Sequence, residues 1–329
     1  MIITKTPYRI SFFGGGTDFP KWYNYNKGAV ISATINSYSY ITVKDLYNFH
    51  DYKIRIRYYL REEAKNINYI QHPVIKKYLK LIKFKDNLEI IHYGDLPARS
   101  GIGSSSSFSV GLINAMNSFV NKKISKRNLA LKTLLLEHKI LKESCGSQDQ
   151  VAAVYGGFNK ITFNNSNQFN CKRLLIPKKN LKALENWIQL FYTKTSREST
   201  NLEKDKIKNL KKNKKFYEKS YQLVIQAEKL LKSKDKNFIL EFSNLLNKQW
   251  DLKKKLSKKV SNKLLDNLYK LGIQNGALGG KILGAGAGGF MLFLTPPKYQ
   301  KNLEKIIKLP SIKIKFENVG SQVIFKSKK

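Results

Sequence analysis

Residues 94–116 read GDLPARSGIGSSSSFSVGLINAM, a turn-rich loop with two glycines and four consecutive serines, Ser104 to Ser107, that runs straight into an apolar helix. One or two capping residues suffice to start a helix, so this composition invites a further use. Backbone N–H groups at a helix N-terminus are unpaired and carry the positive end of the dipole. Glycines let the backbone approach an anion closely, and serine hydroxyls add donors or a metal ligand. The stretch predicts a phosphate-binding turn, with an ordinary capped helix after a flexible loop as the alternative. No Gly-Lys-Ser/Thr follows the glycines, so it is not a Walker A loop.

Two further glycine-rich stretches flank it. PYRISFFGGGTDFP (7–20) carries Arg9 and sets three glycines before Thr17 and Asp18, and GGKILGAGAGGF (279–290) is a turn between a helix and a strand. Glycines often mark ordinary turns, but three such loops, each with a polar residue beside it, point to a shared site.

The first half of the chain is strand-rich. AVISATI (29–35), YSYITVKDL (38–46), DYKIRIRYY (51–59) and LEIIHYGDLP (88–97) are β-branched, aromatic or alternating. Phe108, Leu112, Met116 and Phe119 fall at helical spacing after the serines, a second helix is expected over about 125–143, and CGSQDQVAAVYGGFNKITF passes from a short helix into a strand. Beyond residue 180, WIQLFYT (187–193) and FMLFLT (290–295) read as strands around two or three lysine-rich amphipathic helices at about 200–275. A final helix and two short strands, IKIKFE and QVIF, follow. The sequence predicts an α+β protein of two domains, 1–180 and 181–329.

Composition narrows the partners. The formal net charge is +38, yet only eight of the 61 basic residues are arginine, and the lysines are scattered among Asn and Ile. Specific base and phosphate recognition favours the arginine fork. The surplus therefore reads as compositional drift, with electrostatic steering of anionic ligands as its physical consequence, and no specific nucleic-acid partner is expected. No apolar run is long enough to span a bilayer, and the N-terminal stretch does not resemble a signal peptide. Two cysteines, Cys145 and Cys171, make no disulfide framework or zinc motif. A cytoplasmic protein without a membrane partner is expected.

The three loops, in this order and at these separations, resemble the GHMP kinase superfamily over essentially the whole chain. YRISFFGGGTDFPKWY, GSQDQVAAVYGGFN and GGKILGAGAGGF are most similar to the D-glycero-D-manno-heptose 7-phosphate kinases within it. Galactokinases carry Gly-Glu-His-Thr-Asp where this chain has Gly15-Gly16-Thr17-Asp18, so the shared Thr-Asp suggests a sugar site and the missing Glu-His argues against galactose. The resemblance implies an N-terminal domain like the second domain of ribosomal protein S5 and a ferredoxin-like C-terminal domain.

It also implies ATP and Mg²⁺ as cofactors and a small sugar phosphate as acceptor. Gly101, Ile102, Gly103, Ser104, Ser105, Ser106 and Ser107 would hold the ATP phosphates, with Gly284 and Gly286 closing the nucleotide side. Ser105 and Glu137 would ligate Mg²⁺, Glu143 being the rival carboxylate. Asp149 would be the base or orienting carboxylate, Arg9 would offset phosphoryl charge, and Gly16, Thr17, Asp18 and Arg197 would bind substrate. Arg99 stands where the commonest superfamily loop has a glycine, and would either remove a backbone contact or offer a charged one.

Overall fold

The computed structural model describes residues 1–165, 168–195 and 199–327. In chain order, the first half comprises β1 (Ile2–Phe13), α1 (Pro20–Tyr23), β2 (Gly28–Asp45), β3 (Ile54–Arg57), β4 (Arg61–Ala64), α2 (Pro73–Leu81) and β5 (Leu88–Gly94). It continues through α3 (Ser104–Phe119), α4 (Lys126–Leu135), α5 (Gln148–Tyr155), β6 (Phe158–Asn164) and β7 (Gln168–Arg173). The second half holds α6 (Lys178–Trp187), β8 (Ile188–Tyr192), α7 (Ser199–Lys208), α8 (Lys214–Lys232), α9 (Phe238–Leu256) and α10 (Lys263–Gln274). β9 (Gly279–Ile282), β10 (Phe290–Leu294), α11 (Pro297–Ile307), β11 (Ser311–Ile312) and β12 (Gln322–Lys326) complete it. No helix among the described residues is long and apolar enough to cross a membrane.

The larger sheet has the order β12-β1-β2-β5-β3-β4, with β6 on β2 and β7 on β6. The two strands expected at 29–35 and 38–46 are one, because Asn36-Ser37 supplies no turn and the ladder to β1 merely shifts register between Pro7 and Arg9. One half of β2 pairs with β6 and the other with β5, so a single long strand joins both arms of the sheet. Its side chains alternate as strand geometry requires. Val30 enters the core beneath α3 to α5, whereas Ala29, Ile31 and Ala33 enter the core shared with α8 and α9. The sheet is therefore buried on both faces.

The smaller sheet is antiparallel with the order β11-β8-β10-β9. Numbered within this half it is 4-1-3-2, the ferredoxin-like arrangement that the resemblance implies. Four helices, α7 to α10, fill the span where two or three were expected, because Asn213, Asn237 and Asn262 interrupt the lysine-rich run as N-caps. IKIKFE is mostly irregular, touching strand pairing at Ser311–Ile312 and at an isolated bridge between Phe316 and Ile35. β12 leaves the second half and pairs with β1. The sheets thus change near residue 180, but the last strand crosses back.

Two glycine-rich turns meet backbone to backbone. A Cβ on Gly284 would lie 2.4 Å from the Gly101 Cα, and one on Gly101 would lie 2.9 Å from the Leu283 carbonyl oxygen. Phe290 N donates to Ser100 O at 2.9 Å, closing the contact. Gly284 also has φ +60°, so Gly284→Ala combines backbone strain with a collision. It is expected to cost about 1–3 kcal/mol, read as a lower urea midpoint with unchanged slope. An unchanged midpoint would mean that the turns separate freely.

Candidate active site

The site grows from the end of β1. Arg9 is buried and forks onto Asp149, with Nε to Oδ1 at 2.7 Å and Nη2 to Oδ2 at 2.5 Å. Its third nitrogen, Nη1, donates to Gly101 O at 2.6 Å, and its backbone N–H donates to Ile102 O at 3.0 Å. One side chain therefore ties the serine-rich turn to the first turn of α5, which carries Asp149. A planar fork with both carboxylate oxygens engaged fixes position as well as charge. The Asp149 side chain keeps 24% of its surface open.

The four serines divide their tasks. Gly103, with φ +75°, is the N-cap of α3. Ser104 Oγ accepts from Arg99 N at 3.3 Å, Ser107 Oγ donates to Pro7 O at 2.9 Å, and Ser106 Oγ donates to Glu137 Oε2 at 3.0 Å. Ser105 is exposed. It is thus Ser106, rather than Ser105, that the structure brings against Glu137; a step of one residue turns a helical side chain by about 100°. Arg99 is exposed, with φ +58°.

Glu137 sits where α4 widens into a π-helical turn, Leu136–Ile140, a feature that often marks functional sites. Its side chain is buried, and Oε2 accepts from Ser106 and Gln150, while Oε1 has no hydrogen-bond partner among the described residues. Burial, and then the neighbouring Glu143, push its carboxyl up to about 7. Glu137, Glu143 and Cys145 bring their ligand atoms within 4.8 Å of one another. A buried carboxylate oxygen left without a partner fits a hard cation. Glu143, the rival at sequence level, proves to be a neighbour of the same cluster.

The first glycine loop behaves differently from expectation. Thr17 is fully buried, and its hydroxyl lies 2.8 Å from both Gly14 O and Ala29 O, either of which can accept its proton, while it accepts from Ala29 N at 3.1 Å, so it closes the turn. Gly16 packs on the Tyr217 ring and donates its N–H to Asp18 Oδ1 at 2.8 Å. Asp18 is 2% exposed and also accepts from Gln148 N at 3.3 Å. Burial first, and the Asp149 carboxylate second, raise its carboxyl above the ordinary range. Asp18 and Asp149 are thus brought together, while Arg197 lies outside the described residues.

Four residues escaped the sequence reading. Glu203 of α7 lies in the field of Asp149, Asp18 and Arg9, and burial raises its carboxyl. Lys206 donates to Ala285 O, Lys253 to Ile282 O and Gly284 O, and Lys281 to Ser11 O and Phe12 O. Their lysine-rich surroundings resemble a solvated face, so only the three-dimensional contact distinguishes them. A cavity of about 760 Å³ opens beside Glu143 and Cys145, and Lys21, Lys139, Lys142, Lys204 and Lys208 are among its lining residues.

The carbonyls of the two turns are largely taken and their N–H groups are not. Gly101 O, Ile102 O, Gly103 O, Gly284 O and Ala285 O all accept hydrogen bonds. The N–H groups of Gly101, Ile102, Gly103, Ala285 and Gly286 have no partner among the described residues. Such one-sided backbone has the donors that an anion would need.

Comparison with known proteins shows the family. The family model described as GHMP kinases N terminal domain matches residues 68–157, and that described as GHMP kinases C terminal matches residues 227–308. The D-glycero-alpha-D-manno-heptose 7-phosphate kinase of Campylobacter jejuni is 33% identical over 332 residues, covering 93% of each chain. The galactokinase of Pyrococcus furiosus is 25% identical and spans 92% of this chain and 91% of its own. Among solved structures, a D-glycero-D-manno-heptose 1-phosphate kinase from Bacteroides thetaiotaomicron superposes with a TM-score of 0.74 at 22% identity, covering 100% of both chains. The mevalonate kinase of Methanococcus jannaschii gives 0.71 at 23% identity, over 95% of this chain and 98% of that one. At these identities the two structures speak for the fold.

Gly146 has no room for a side chain, since a Cβ there would lie 1.9 Å from Asp18 Oδ2. Gly146→Ala should push Asp18 aside and lower the melting temperature, at a cost of about 1–3 kcal/mol. Ser144→Ala, on the same loop, is the control. Equal melting temperatures for the two variants would show that the loop yields without disturbing Asp18.

Proposed function

The chain belongs to the GHMP kinases, phosphotransferases with a hydroxyl acceptor, and from that premise we propose that it transfers the γ-phosphate of ATP to the anomeric hydroxyl of D-glycero-D-manno-heptose 7-phosphate. The product would be the 1,7-bisphosphate, an intermediate for nucleotide-heptose synthesis. The observation that carries this reading is the Arg9–Asp149 fork, held against the Gly101 turn and beside the buried Asp18. The relative that is 33% identical is named for a heptose phosphate substrate, and the lysines of the neighbouring cavity suit an anionic acceptor.

In the proposed reaction the acceptor oxygen forms a bond to the γ-phosphorus as the bond to the β,γ-bridging oxygen breaks. The hydroxyl proton passes to the Asp149 carboxylate, and ADP leaves. Asp149 orients the attacking hydroxyl, and Arg9 holds Asp149 while placing positive charge beside the transferring group. Phosphoryl transfer depends chiefly on positioning and charge neutralisation, which these parts supply. Asp18 and its backbone donors form the wall against which the sugar hydroxyls would sit, and Gly16 shapes that wall.

Glu137 and Ser105 would hold Mg²⁺. The unpartnered Oε1 of Glu137 is the available oxygen, Ser106 orients the carboxylate through Oε2, and Ser105 leaves its hydroxyl accessible on the same turn. When bound, the ion would neutralise phosphate oxygens and orient them. The turn from Gly101 and the Gly284–Gly286 turn would supply N–H groups for the phosphates, and the serine hydroxyls up to Ser107 border them.

Asp149→Asn should lower kcat by about 10²-fold or more while ATP affinity changes little; near-normal turnover would remove Asp149 from the reaction. The identity of the acceptor is tested by ATP consumption across free sugars and sugar phosphates, with ³¹P detection of the product. An anomeric phosphate signal only with the heptose 7-phosphate supports the proposal. Turnover confined to fucose, a uronic acid or another heptose keeps the sugar kinase and discards this substrate. Nucleotide binding without turnover on any sugar favours a non-catalytic sugar-binding protein.

A further inference from the structure

Three ammonium groups are buried behind the glycine-rich turns. Lys206 and Lys281 are 4% exposed and Lys253 is 8% exposed. Among the described residues none of them makes an ion pair with a carboxylate. Each bonds to backbone carbonyls instead: Lys253 Nζ to Ile282 O at 2.9 Å and Gly284 O at 2.6 Å, Lys206 Nζ to Ala285 O, and Lys281 Nζ to Ser11 O at 2.9 Å and Phe12 O at 2.8 Å. Stability alone gives little reason for this arrangement, because a buried charge without a counter-charge is costly and an apolar replacement is often tolerated.

The peptide geometry gives a reason. In a planar trans peptide the C=O of one residue and the N–H of the next point in opposite directions. Pulling Gly284 O back onto Lys253 turns the Ala285 N–H the other way, and pulling Ala285 O onto Lys206 does the same for the Gly286 N–H. Those two N–H groups have no partner among the described residues, and their turn abuts Gly101 in front of α3.

We propose that Lys253 and Lys206 are positioning residues that hold the Gly284–Gly286 turn with its N–H groups facing the phosphate groups of the nucleotide. Lys281 fixes the end of β1 in the same way. The inference rests on the reading of the two turns as the polyphosphate site. Burial pushes the Lys206 ammonium down to about 8 and Lys281 down to about 7, with Glu203, Asp18 and Asp205 opposing the shift at Lys206 and Arg9 adding to it at Lys281. Lys253 is lowered by burial and then by Lys281, Lys206 and Arg9.

The test uses the full chain and two probes, inorganic tripolyphosphate and adenosine, with binding read by calorimetry and melting temperature recorded in parallel. Lys253→Met and Lys206→Met should each weaken tripolyphosphate binding by on the order of tenfold and leave adenosine binding within about twofold. Lys255→Met, an exposed change on the same helix, removes the same charge and should leave both unchanged. Unchanged tripolyphosphate affinity in the buried variants overturns the proposal, as does parallel loss of both ligands with a lowered melting temperature, which is the mark of a merely structural lysine. A wild-type chain that does not bind tripolyphosphate overturns the site reading together with the inference, whereas wild-type binding with indifferent variants overturns the inference alone.

Discussion

The site depends on where Arg9 is anchored. It lies on β1 beside a register shift in the ladder to β2, so its side chain and its backbone N–H both reach the serine-rich turn. The guanidinium then has one carbonyl and one carboxylate to satisfy, on two segments distant in sequence. A lysine could not do this, because a single ammonium lacks the planar fork that fixes both carboxylate oxygens. Without that fork, α5 and the turn before α3 would have no common reference, and Asp149 would lose its orientation. The bidentate pair also places charge where a phosphoryl group would cross, in a partly dry environment where charge counts for more than in water.

A second constraint follows from the first. Since Arg9 holds Gly101 O, the opposite side of that turn is bare backbone, and only another glycine turn can lie on it. Gly284 fits because it has no Cβ, and the Phe290–Ser100 hydrogen bond locks the approach. Two sheets that share a hydrophobic cluster, joined again by β12, hold the two turns in place. The rigidity of the cradle thus comes from the core, and its polarity comes from the lysines and arginine that occupy its carbonyls.

Much of this was legible in the sequence, and the reason is local. Glycines at forced turns, serines opening a helix, and an acidic residue in Gly-Ser-Gln-Asp-Gln act over a few positions, so their meaning is written nearby. The serine-rich turn and the glycine turns were singled out that way, whereas roles for Asp149 and Arg9 came from the family resemblance. The misreadings concern tertiary geometry. Thr17 looks like a ligand-binding hydroxyl until the Gly14 and Ala29 carbonyls claim it. Lys206, Lys253 and Lys281 are hidden among dozens of similar lysines, and nothing in their spacing separates a buried ammonium from a solvated one. β12 has an ordinary strand sequence whose partner lies more than three hundred residues away.

The net charge can now be divided by location. Most of the lysines are solvated and contribute a diffuse field, screened within about 8–10 Å at moderate salt. The few that are buried bond to backbone carbonyls, with Lys253 in the field of Lys281, Lys206 and Arg9, while Glu203 lies in the field of Lys206, Asp149, Asp18 and Arg9. The centre therefore interleaves the two signs: Arg9 is paired with Asp149, and Lys206 lies in the field of Glu203 and Asp18. Burial and mutual repulsion raise Asp18 and Glu203, and carboxylates so placed are relieved by hydrogen-bond donors, not by anions. A polyhydroxylated acceptor offers donors, and a polyphosphate offers the complementary charge to the cations. In the proposed reading both ligand chemistries would find complementary groups at this centre, and the Arg9–Asp149 pair offers one of each.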